Sequence, residues 1–320
     1  MVDLTIALIS YNTRDLLLAC LQSILETTKD LIYELVVVDN ASADGSVEAV
    51  RSHFPDAVVL SNTHNNGYAK ACNQALAISK GRHLLLLNSD TIISNHALVT
   101  LVEYLDSHPD VGAVSCKQWT GEGHLNQTCF PFPSLRDHFY HASLFQRVAP
   151  RMQAAAAAMQ AVDCTLSQNV DWANGACLVV RTDLLRQLGG LDEGFFMYFE
   201  DVDLCRRIHR QGYRVHHLAE AEIVHLVGRS SGRAVDRLNL EWELSRIRYI
   251  EKHFSPGKRA VMKIWIAAGI ASRFLRLLGG QSASPQRRQL MQDHLICFNR
   301  LCRQTEQPAP LRTIAQGRRS

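Results

Sequence analysis

The stretch Leu84-Leu85-Leu86-Leu87-Asn88-Ser89-Asp90 combines an unbroken apolar run with an abrupt polar end. A strand with one face in water alternates apolar and polar residues, whereas a continuous apolar run is typical of a strand buried on both faces of a parallel sheet. The stretch therefore predicts a buried strand over 83–87, with Asn88, Ser89 and Asp90 at its carboxyl end.

Three earlier runs follow the same plan. Strands are predicted at 4–10, 34–38 and 57–60, and each ends in polar residues. Apolar residues at helical spacing fill the intervals, at 16–25, 45–53 and 69–79. Strands that alternate with helices predict an α/β fold, with a mostly parallel sheet flanked by helices. In such sheets ligands bind outside the carboxyl ends of the strands, so the polar residues there predict a ligand site.

The pattern weakens over 119–171, where an alanine-rich stretch at 154–158 predicts a helix inside an insertion. In chain order, the later part is predicted to contain a strand pattern at 172–180, helices at 182–188 and 201–211, one or two short strands within 215–225, helix from 238 onward and a disordered end at 305–320. The first third of the chain is therefore the part with the clearest sequence pattern.

Composition and charge describe an ordinary globular protein with one unusual end. Of the 320 residues, 47% are hydrophobic and 20% are charged, which is enough apolar material for a large core. The net charge is +3, but residues 258–320 carry twelve Lys or Arg against two Asp or Glu. The preceding residues are therefore net acidic, and the two parts are expected to meet different partners.

The nine cysteines contain no Cys-x-x-Cys pair and are odd in number, so neither a zinc site nor a disulfide framework is visible. Most lie in apolar patterns, which predicts core thiols in a reducing compartment. The amino terminus lacks the basic start and apolar stretch of a signal peptide. No segment offers about 18 uncharged apolar residues, so a membrane-spanning helix is not expected.

Two strand-end carboxylates are candidates for ligand binding. Asp90 has the chemistry to bind a hard divalent cation that bridges to a pyrophosphate, and Asp39 the chemistry to accept hydrogen bonds from a base or a ribose hydroxyl. Asn66 and Gly67 offer an amide and a flexible backbone for close approach of a ligand. Taken alone, each of these has an alternative interpretation as simple turn or helix-cap chemistry.

The densest cluster of functional residue types spans 194–203, where an aromatic run leads into Glu200, Asp201 and Asp203 at a predicted helix start. A helix amino terminus favours ionised carboxylates, and an ionised carboxylate beside an apolar wall suits a general base. Simple helix capping is the alternative, although three carboxylates in four residues exceed what a cap requires. His225 follows an apolar run, and alone it favours a structural role over that of a ligand.

Together these blocks resemble the inverting glycosyltransferases of family 2, which have the GT-A fold, with the closest likeness to the bacterial rhamnosyltransferase-like and galactofuranosyltransferase-like branch. The resemblance covers roughly residues 4–231. The blocks that carry it are Ile9-Ser10-Tyr11-Asn12, residues 37–46, Asn65-Asn66-Gly67-Tyr68-Ala69, residues 86–90, Trp172-Ala173-Asn174-Gly175-Ala176 and residues 195–206. Each block is weak alone, but their joint order is specific.

The resemblance implies a donor site at the strand ends. It places Asp39 against the nucleotide, with Ser10 and Asn12 nearby. Further donor contacts are implied for Asn66, Gly67, Asn88 and Asp90. It also implies that Asp90 binds a divalent metal, Mn²⁺ or Mg²⁺, and that His225 completes the metal coordination. One departure is that Asn88 stands where relatives have a carboxylate, which leaves one anionic ligand in the motif.

The resemblance also implies the catalytic and acceptor residues. Asp201 matches the catalytic base of a Glu-Asp pair with Glu200, and Trp172 and Asn174 are implied to line the acceptor side. A second departure is Ala219, which stands where many relatives have proline, and we expect little effect from it. The implied enzyme is a metal-dependent hexosyltransferase.

Its best-matching reaction moves rhamnose from dTDP-rhamnose to a glycan or lipid-linked acceptor in cell-surface polysaccharide synthesis. One alternative is a nucleotidyltransferase, which would need a glycine-rich phosphate loop that residues 10–13 do not provide. Another is a non-catalytic nucleotide-sugar-binding or membrane scaffold module. The presence of Asp90, Asp201 and His225 together favours the enzyme.

We expect a catalytic domain over 1–257, with a nucleotide-sugar half at 1–115 and an acceptor half at 116–257. A basic amphipathic helical extension is expected at 258–304. Residues 258–288 suit a helix in an anionic membrane interface, and the alternative is a helix packed on the domain. No nucleic-acid motif accompanies the charge, so no nucleic acid is expected as a partner. The expected location is cytoplasmic, either free or peripheral on the inner face of the plasma membrane.

Overall fold

The computed structural model describes residues 1–135, 162–226, 235–278 and 285–302, and the side chains of 235–239, 273–278 and 285–290 are not described within them. The alanine-rich stretch at 154–158 and the end at 305–320 lie outside the described residues.

The amino-terminal strands form the parallel half of the central sheet. These are β1 (Leu4–Ser10), β2 (Tyr33–Asp39), β3 (Val58–Ser61) and β4 (His83–Asn88). They lie in the order β3-β2-β1-β4, and all three pairings are parallel. The register sets Ser10 beside Asp39 and Ile9 beside Asn88, so the polar strand ends lie at one edge of the sheet, as the pattern predicts.

The sheet continues through four later strands. These are β5 (Thr91–Ile93), β6 (Val111–Thr120), β11 (Cys177–Arg181) and β12 (Arg214–His225). The path runs β4-β11-β6-β12-β5, with β11 antiparallel to both neighbours and β12 parallel to β6. Short strands lie around it, namely β7 (Leu125–Asn126), β8 (Cys129–Phe130), β9 (Gln168–Val170) and β10 (Trp172–Ala173).

One predicted region differs in detail from the structure. Instead of one or two short strands within 215–225, the chain forms a single strand of 12 residues, β12. A register shift between Leu218 and Glu222 absorbs the residues between them, and β12 pairs with β6 on both sides of the shift. A bulge of this kind bends a strand without ending its ladder, which explains why polar residues there suggest a break.

Helices cover both faces of the sheet. Their bounds are α1 (Arg14–Thr27), α2 (Ser46–His53), α3 (Tyr68–Ile78), α4 (Ala97–Ser107), α5 (Thr182–Gln187), α6 (Glu200–Arg210), α7 (Val235–His253), α8 (Pro256–Leu278) and α9 (Pro285–Cys302). The four leucines of β4 divide between two cores: Leu85 and Leu87 pack with α1 and α4, while Leu84 and Leu86 pack with α3 and α6. Each buried leucine contributes about 1.5–3 kcal/mol, so this strand belongs in the interior.

The three carboxyl-terminal helices pack on one another. Ile247 and Ile250 of α7 share a buried cluster with Met262 and Ile266 of α8 and with Cys297 of α9. The apolar side of α8 is therefore covered by protein along much of its described length. Within the described residues, no helix combines the length and apolar character needed to cross a membrane.

Candidate active site

The ends of β1 and β2 are joined by short polar contacts. The hydroxyl of Ser10 is fully buried and lies 3.1 Å from the Thr13 hydroxyl, which lies 2.9 Å from the Ser89 hydroxyl. Asn12 has a left-handed backbone (φ 54°), and its side-chain oxygen accepts the N–H of Ala43 at 2.8 Å. The structure thus gives Ser10 and Asn12 a role in holding the loops together, and their contact with a nucleotide stays a prediction.

Asp39 differs from these residues because one of its oxygens is unused. Its Oδ1 accepts the N–H of Ser42 at 2.9 Å, while Oδ2 is buried with no hydrogen-bond partner among the described residues. A buried acceptor without a donor costs about 1–3 kcal/mol. An N–H or O–H donor from a bound base or ribose would satisfy this oxygen, which fits the predicted nucleotide contact.

Gly67 precedes α3 and lies against Phe196, which belongs to the aromatic run before α6. Its backbone is left-handed (φ 83°), and a Cβ built on it would lie 2.5 Å from the Phe196 carbonyl oxygen. That same oxygen accepts the N–H of Tyr68 at 2.7 Å. Glycine is therefore required here for the approach of Phe196, and contact of Asn66 and Gly67 with a ligand stays a prediction.

An amide network that the sequence did not reveal supports this loop. Asn40 donates to the Gly67 carbonyl at 3.2 Å and accepts from Asn62 at 3.0 Å. Asn62 also accepts from Gln74 at 2.8 Å. The three amides come from separate elements, so only the folded chain brings them together.

Asp90 and His225 lie together at the predicted metal site. Asp90 Oδ1 is 3.2 Å from His225 Nε2, and both residues are buried. The other ring nitrogen, Nδ1, lies 3.2 Å from Gln118 Oε1, and Gln118 donates to Asn174 at 2.9 Å. When Nδ1 carries the hydrogen, Nε2 presents its lone pair to a carboxylate oxygen. Two acceptors at that distance repel unless a proton or a cation lies between them, so the pair fits a divalent cation.

Asp201 lies at the first turn of α6 with both carboxylate oxygens engaged. Oδ2 accepts the N–H of Gly175 at 3.0 Å, and Oδ1 accepts the N–H of Val202 at 2.8 Å. Burial raises the pKa of Asp201, while the two N–H groups act to lower it. The adjacent Glu200 is buried without a side-chain partner for Oε2, and burial followed by the charge of Asp201 raises its pKa well above the usual range. The environments therefore favour a neutral Glu200 beside an ionisable Asp201. A difference in pKa between two adjacent carboxyl groups is typical of catalytic pairs.

The predicted acceptor residues border this carboxylate. Trp172 stacks on Phe130 with ring centroids 4.7 Å apart and donates its indole N–H to the Pro131 carbonyl at 3.0 Å. Asn174 precedes Gly175, whose N–H is bonded to Asp201. Hydrogen bonds through Asn174 and Gln118 thus connect the loop that contacts Asp201 to His225 beside Asp90. Asn88 lies half-buried at the end of β4.

The sequence model of the family described as Glycosyltransferase like family 2 matches residues 3–243. The chain belongs to this family. It is 29% identical over 210 residues to N-acetylglucosaminyl-diphospho-decaprenol L-rhamnosyltransferase of Mycobacterium tuberculosis, a match that covers 62% of the chain and 68% of the relative. It is 23% identical over 257 residues to rhamnosyltransferase WbbL of Escherichia coli K12, covering 77% and 92% of the two chains.

A solved structure gives the corresponding result for the fold of this glycosyltransferase. Mannosyltransferase PcManGT from Pyrobaculum calidifontis, in complex with GDP-Man and Mn²⁺, superposes with a TM-score of 0.55 at 20% identity. The superposition covers 93% of this chain and 88% of the other. The predicted GT-A fold and the resemblance to family 2 are thereby confirmed.

Helix α6 of the glycosyltransferase, which carries Asp201, is anchored by residues that the sequence did not point to. Asp203 of α6 is fully buried, and its Oδ1 lies 2.7 Å from both Lys252 Nζ and His253 Nε2 of α7. Its Oδ2 lies 2.8 Å from Arg207 Nε. Although burial opposes ionisation, these partners hold the pKa of Asp203 far below its usual range. Burial lowers the pKa of His253, so its ring is neutral at pH 7 and donates N–H to the carboxylate.

The turn that leads into α6 is strained and clamped. Tyr198 and Phe199 both have left-handed backbones, with φ of 69° and 66°. Such residues persist only where surrounding contacts fix them. Phe199 packs against Trp242 and Tyr249 of α7, with ring centroids 5.7 and 5.5 Å away. The one sequence signal for this packing against α7 is the helical spacing of Trp242, Tyr249 and His253.

Proposed function

We propose that this glycosyltransferase is an inverting, metal-dependent enzyme that transfers rhamnose from dTDP-rhamnose to a glycan or lipid-linked acceptor in cell-surface polysaccharide synthesis. The observation that carries the proposal is the Asp201 carboxylate, which is fixed by two N–H groups at a helix start beside the acceptor-side residues. Relatives named as rhamnosyltransferases support the choice of sugar, and the decaprenol in one of those names supports a lipid-linked acceptor.

The proposed reaction is a single displacement. Asp201 takes the proton from an acceptor hydroxyl as that oxygen attacks the anomeric carbon of the sugar. The bond from this carbon to the diphosphate oxygen breaks on the opposite face, and its electron pair leaves with the nucleotide diphosphate. One attack from the opposite face inverts the configuration. General-base assistance of this kind is worth about 10²–10⁴-fold in rate.

The proposed metal site consists of Asp90 and His225, with Mn²⁺ or Mg²⁺ as the ion. When bound, the ion would neutralise charge on the departing diphosphate. Gln118 orients the imidazole from behind, as hydrogen-bond partners of metal-bound histidines commonly do. Because Asn88 replaces a carboxylate, Asp90 supplies the single anionic side chain of the motif, and the donor diphosphate would contribute the remaining negative ligands.

A donor screen tests the function. The purified chain is incubated with Mn²⁺ and a panel of nucleotide sugars, and thermal stabilisation, donor hydrolysis and transfer to a lipid-linked acceptor are measured. We expect the largest stabilisation and turnover with dTDP-rhamnose. Binding without hydrolysis or transfer would favour the non-catalytic module instead, and absence of any nucleotide-sugar binding would contradict both.

We also propose that the catalytic unit spans 1–257 and that the basic extension holds it peripherally on an anionic membrane from the cytoplasmic side. Although α8 buries Met262, it leaves Ile264 65% exposed and Val261 38% exposed beside the exposed Lys258. Basic and apolar groups on one helix face are typical of interfacial binding.

Co-sedimentation with phosphatidylglycerol vesicles tests the membrane contact. Ile264→Glu should reduce the bound fraction several-fold, since it places a charge on the contacting face. Ile32→Glu is the matched control, because Ile32 is 61% exposed and lies away from the extension. Equal binding by the two variants would contradict the proposed contact.

A further inference from the structure

Three buried side chains outside the active site converge near the aromatic pair. Cys129 in β8, Cys164 in the turn before β9 and His217 in β12 each offer one ligand atom, and these atoms lie within 4.8 Å of one another. The side chains are 0%, 1% and 0% exposed. None of the three has a role in the proposed transfer reaction, so the cluster needs its own explanation.

The two sulfurs form an unequal pair. Their Sγ atoms are 2.8 Å apart, longer than the roughly 2.05 Å of a disulfide bond. The hydrogen bond from Cys129 lowers the pKa of Cys164 to about 5, and the same contact raises the pKa of Cys129. Two buried sulfurs at this separation, with an imidazole beside them, provide a ligand set of the kind that binds a divalent cation.

His217 is oriented in the way that metal-bound histidines commonly are. One ring nitrogen, Nε2, lies 3.0 Å from the carbonyl oxygen of Cys164, and Nδ1 lies 3.4 Å from the Ser115 hydroxyl. A backbone carbonyl that accepts one ring N–H fixes the tautomer and leaves the other nitrogen as a lone-pair donor. With the Nε2 hydrogen donated to the carbonyl, Nδ1 carries the lone pair that a metal ligand needs.

We infer that Cys129, Cys164 and His217 form a structural site for Zn²⁺. Two thiolates and an imidazole suit zinc, whereas the carboxylate of the active site suits Mn²⁺ or Mg²⁺. On binding, the cysteine thiols release their protons to solvent, so two thiolates balance the two charges of the ion. Burial of the thiols disfavours a redox sensor, because sensor cysteines are accessible to oxidants.

Binding would require a small rearrangement. Two thiolates about 2.3 Å from one tetrahedral ion are about 3.8 Å apart, so the present 2.8 Å separation would open by about 1 Å. The Thr128 hydroxyl, 3.9 Å from Cys164 Sγ, or a water molecule would take the fourth position. Rotation of the two cysteine side chains is sufficient for an opening of this size.

The position of the cluster indicates what the zinc would stabilise. Cys129 pairs with Ala173 of β10, and the neighbouring Phe130 pairs with Trp172 and stacks on its ring. His217 lies on β12, which ends in His225. An ion that joins the three ligands would fix the acceptor-side aromatic pair to the strand that carries the candidate metal ligand of the active site.

Metal analysis of the full chain tests the inference. The protein is expressed with zinc in the medium and dialysed, and zinc is quantified by mass spectrometry. We expect about one zinc per wild-type chain, with most of it lost in Cys129→Ser and in His217→Gln. Cys205→Ala and Cys302→Ser are the matched controls, one buried and one exposed, and both should keep their zinc.

Cobalt gives a second readout that needs no change to the three proposed ligands. Co²⁺ bound by thiolates absorbs in the near ultraviolet through sulfur-to-metal charge transfer, which oxygen ligands do not produce. We expect this absorption in the wild type and in Asp90→Asn, so the result does not depend on the active-site metal or on transfer activity. Absence of the absorption and of zinc, or a disulfide between Cys129 and Cys164 found by mass spectrometry, would overturn the inference.

Discussion

Two parts of the candidate site are held in place by different contacts. One is the sheet edge formed by the loops after β1, β2 and β3, here called the donor edge, and the other is helix α6, which carries Asp201. At the donor edge, the loops are tied mainly by backbone N–H groups that donate to side-chain oxygens, such as the Ala43 N–H to Asn12 and the Arg14 N–H to Asp44, both at 2.8 Å. Helix α6 is instead tied to α7 by buried charges around Asp203. The first arrangement follows from strand order and turn chemistry, whereas the second depends on the side chains of α7.

Two carboxylates within α6 show a similar contrast in their surroundings. Asp201 and Asp203 are two residues apart, yet the first accepts only backbone N–H groups and the second is surrounded by cationic and N–H donors. A carboxylate with a lowered pKa and three side-chain partners is a poor base. Asp201, whose pKa is raised by burial, is the better one.

The largest effect is expected for Asp201→Asn. The amide cannot accept the acceptor proton, so the turnover number should fall by about 10²–10⁴-fold while the donor dissociation constant stays nearly unchanged. Steady-state transfer assays and donor titration measure the two quantities. Glu200→Gln should cause a smaller loss, because burial already favours the neutral form of that carboxyl.

The pH dependence checks the same assignment. Because the pKa of Asp201 is raised, the wild-type kcat/KM should fall toward acid pH, beginning above the ordinary range of an aspartate. The residual activity of Asp201→Asn should lack this acid limb. An unchanged limb in the variant would transfer the role of base to another group.

Next in size is Asp203→Asn, which breaks the buried ion cluster. Loss of the charge leaves Arg207 without its anionic partner and Lys252 with Asp192 alone, and removal of one member of a buried pair costs about 3–5 kcal/mol. Urea unfolding measures the loss. Asp183→Asn is the control, since that exposed side chain lies 3.7 Å from Arg186 on the surface and should leave the unfolding midpoint unchanged.

Gly67→Ala tests the contact where the two regions meet. The backbone of Gly67 (φ 83°, ψ 172°) lies in a region that is essentially restricted to glycine and costs about 1–3 kcal/mol for alanine, and the Phe196 carbonyl 2.5 Å from the new Cβ adds to it. Gly123→Ala is the comparison, because Gly123 also has a positive φ (80°) and a Cβ there would meet no atom within 4 Å. The excess loss of stability at Gly67, with a raised KM for the donor, would measure the coupling of the donor loops to the aromatic run. Equal losses of stability at the two glycines would show that Phe196 moves away from the new Cβ at little cost.

The donor edge was the more predictable region, because its signals are local. The apolar run of β4 and the polar ends of β1 and β2 predict both the parallel strands and the place of Asp39 and Asp90. The anchors of α6 were missed, since no local pattern links Asp203 to Lys252 or His253. His225 was found only through the family resemblance, because the bulged strand β12 brings it to Asp90.

The cysteines also show that sequence pattern alone does not reveal side chains that distant strands bring together. Sequence spacing predicts inert core thiols, and eight of the nine are indeed buried. The convergence of Cys129 and Cys164 on His217 depends on strand pairing across the acceptor half, which no Cys-x-x-Cys spacing announces. Ligand sets assembled from distant strands need the fold before they can be recognised.

The smallest effect is expected for Ser42→Ala, which removes one neutral contact at the donor edge. The Ser42 hydroxyl accepts the N–H of Asn12 at 2.8 Å in a partly exposed loop, so its loss should cost about 0.5–1.5 kcal/mol in urea unfolding. Because the loop also holds Asp39 through the Ser42 N–H, which the substitution keeps, donor affinity should change little. If Ser42→Ala lost as much unfolding free energy as Asp203→Asn, the donor edge would depend on single contacts as strongly as helix α6 does. The contrast between the two regions would then fail.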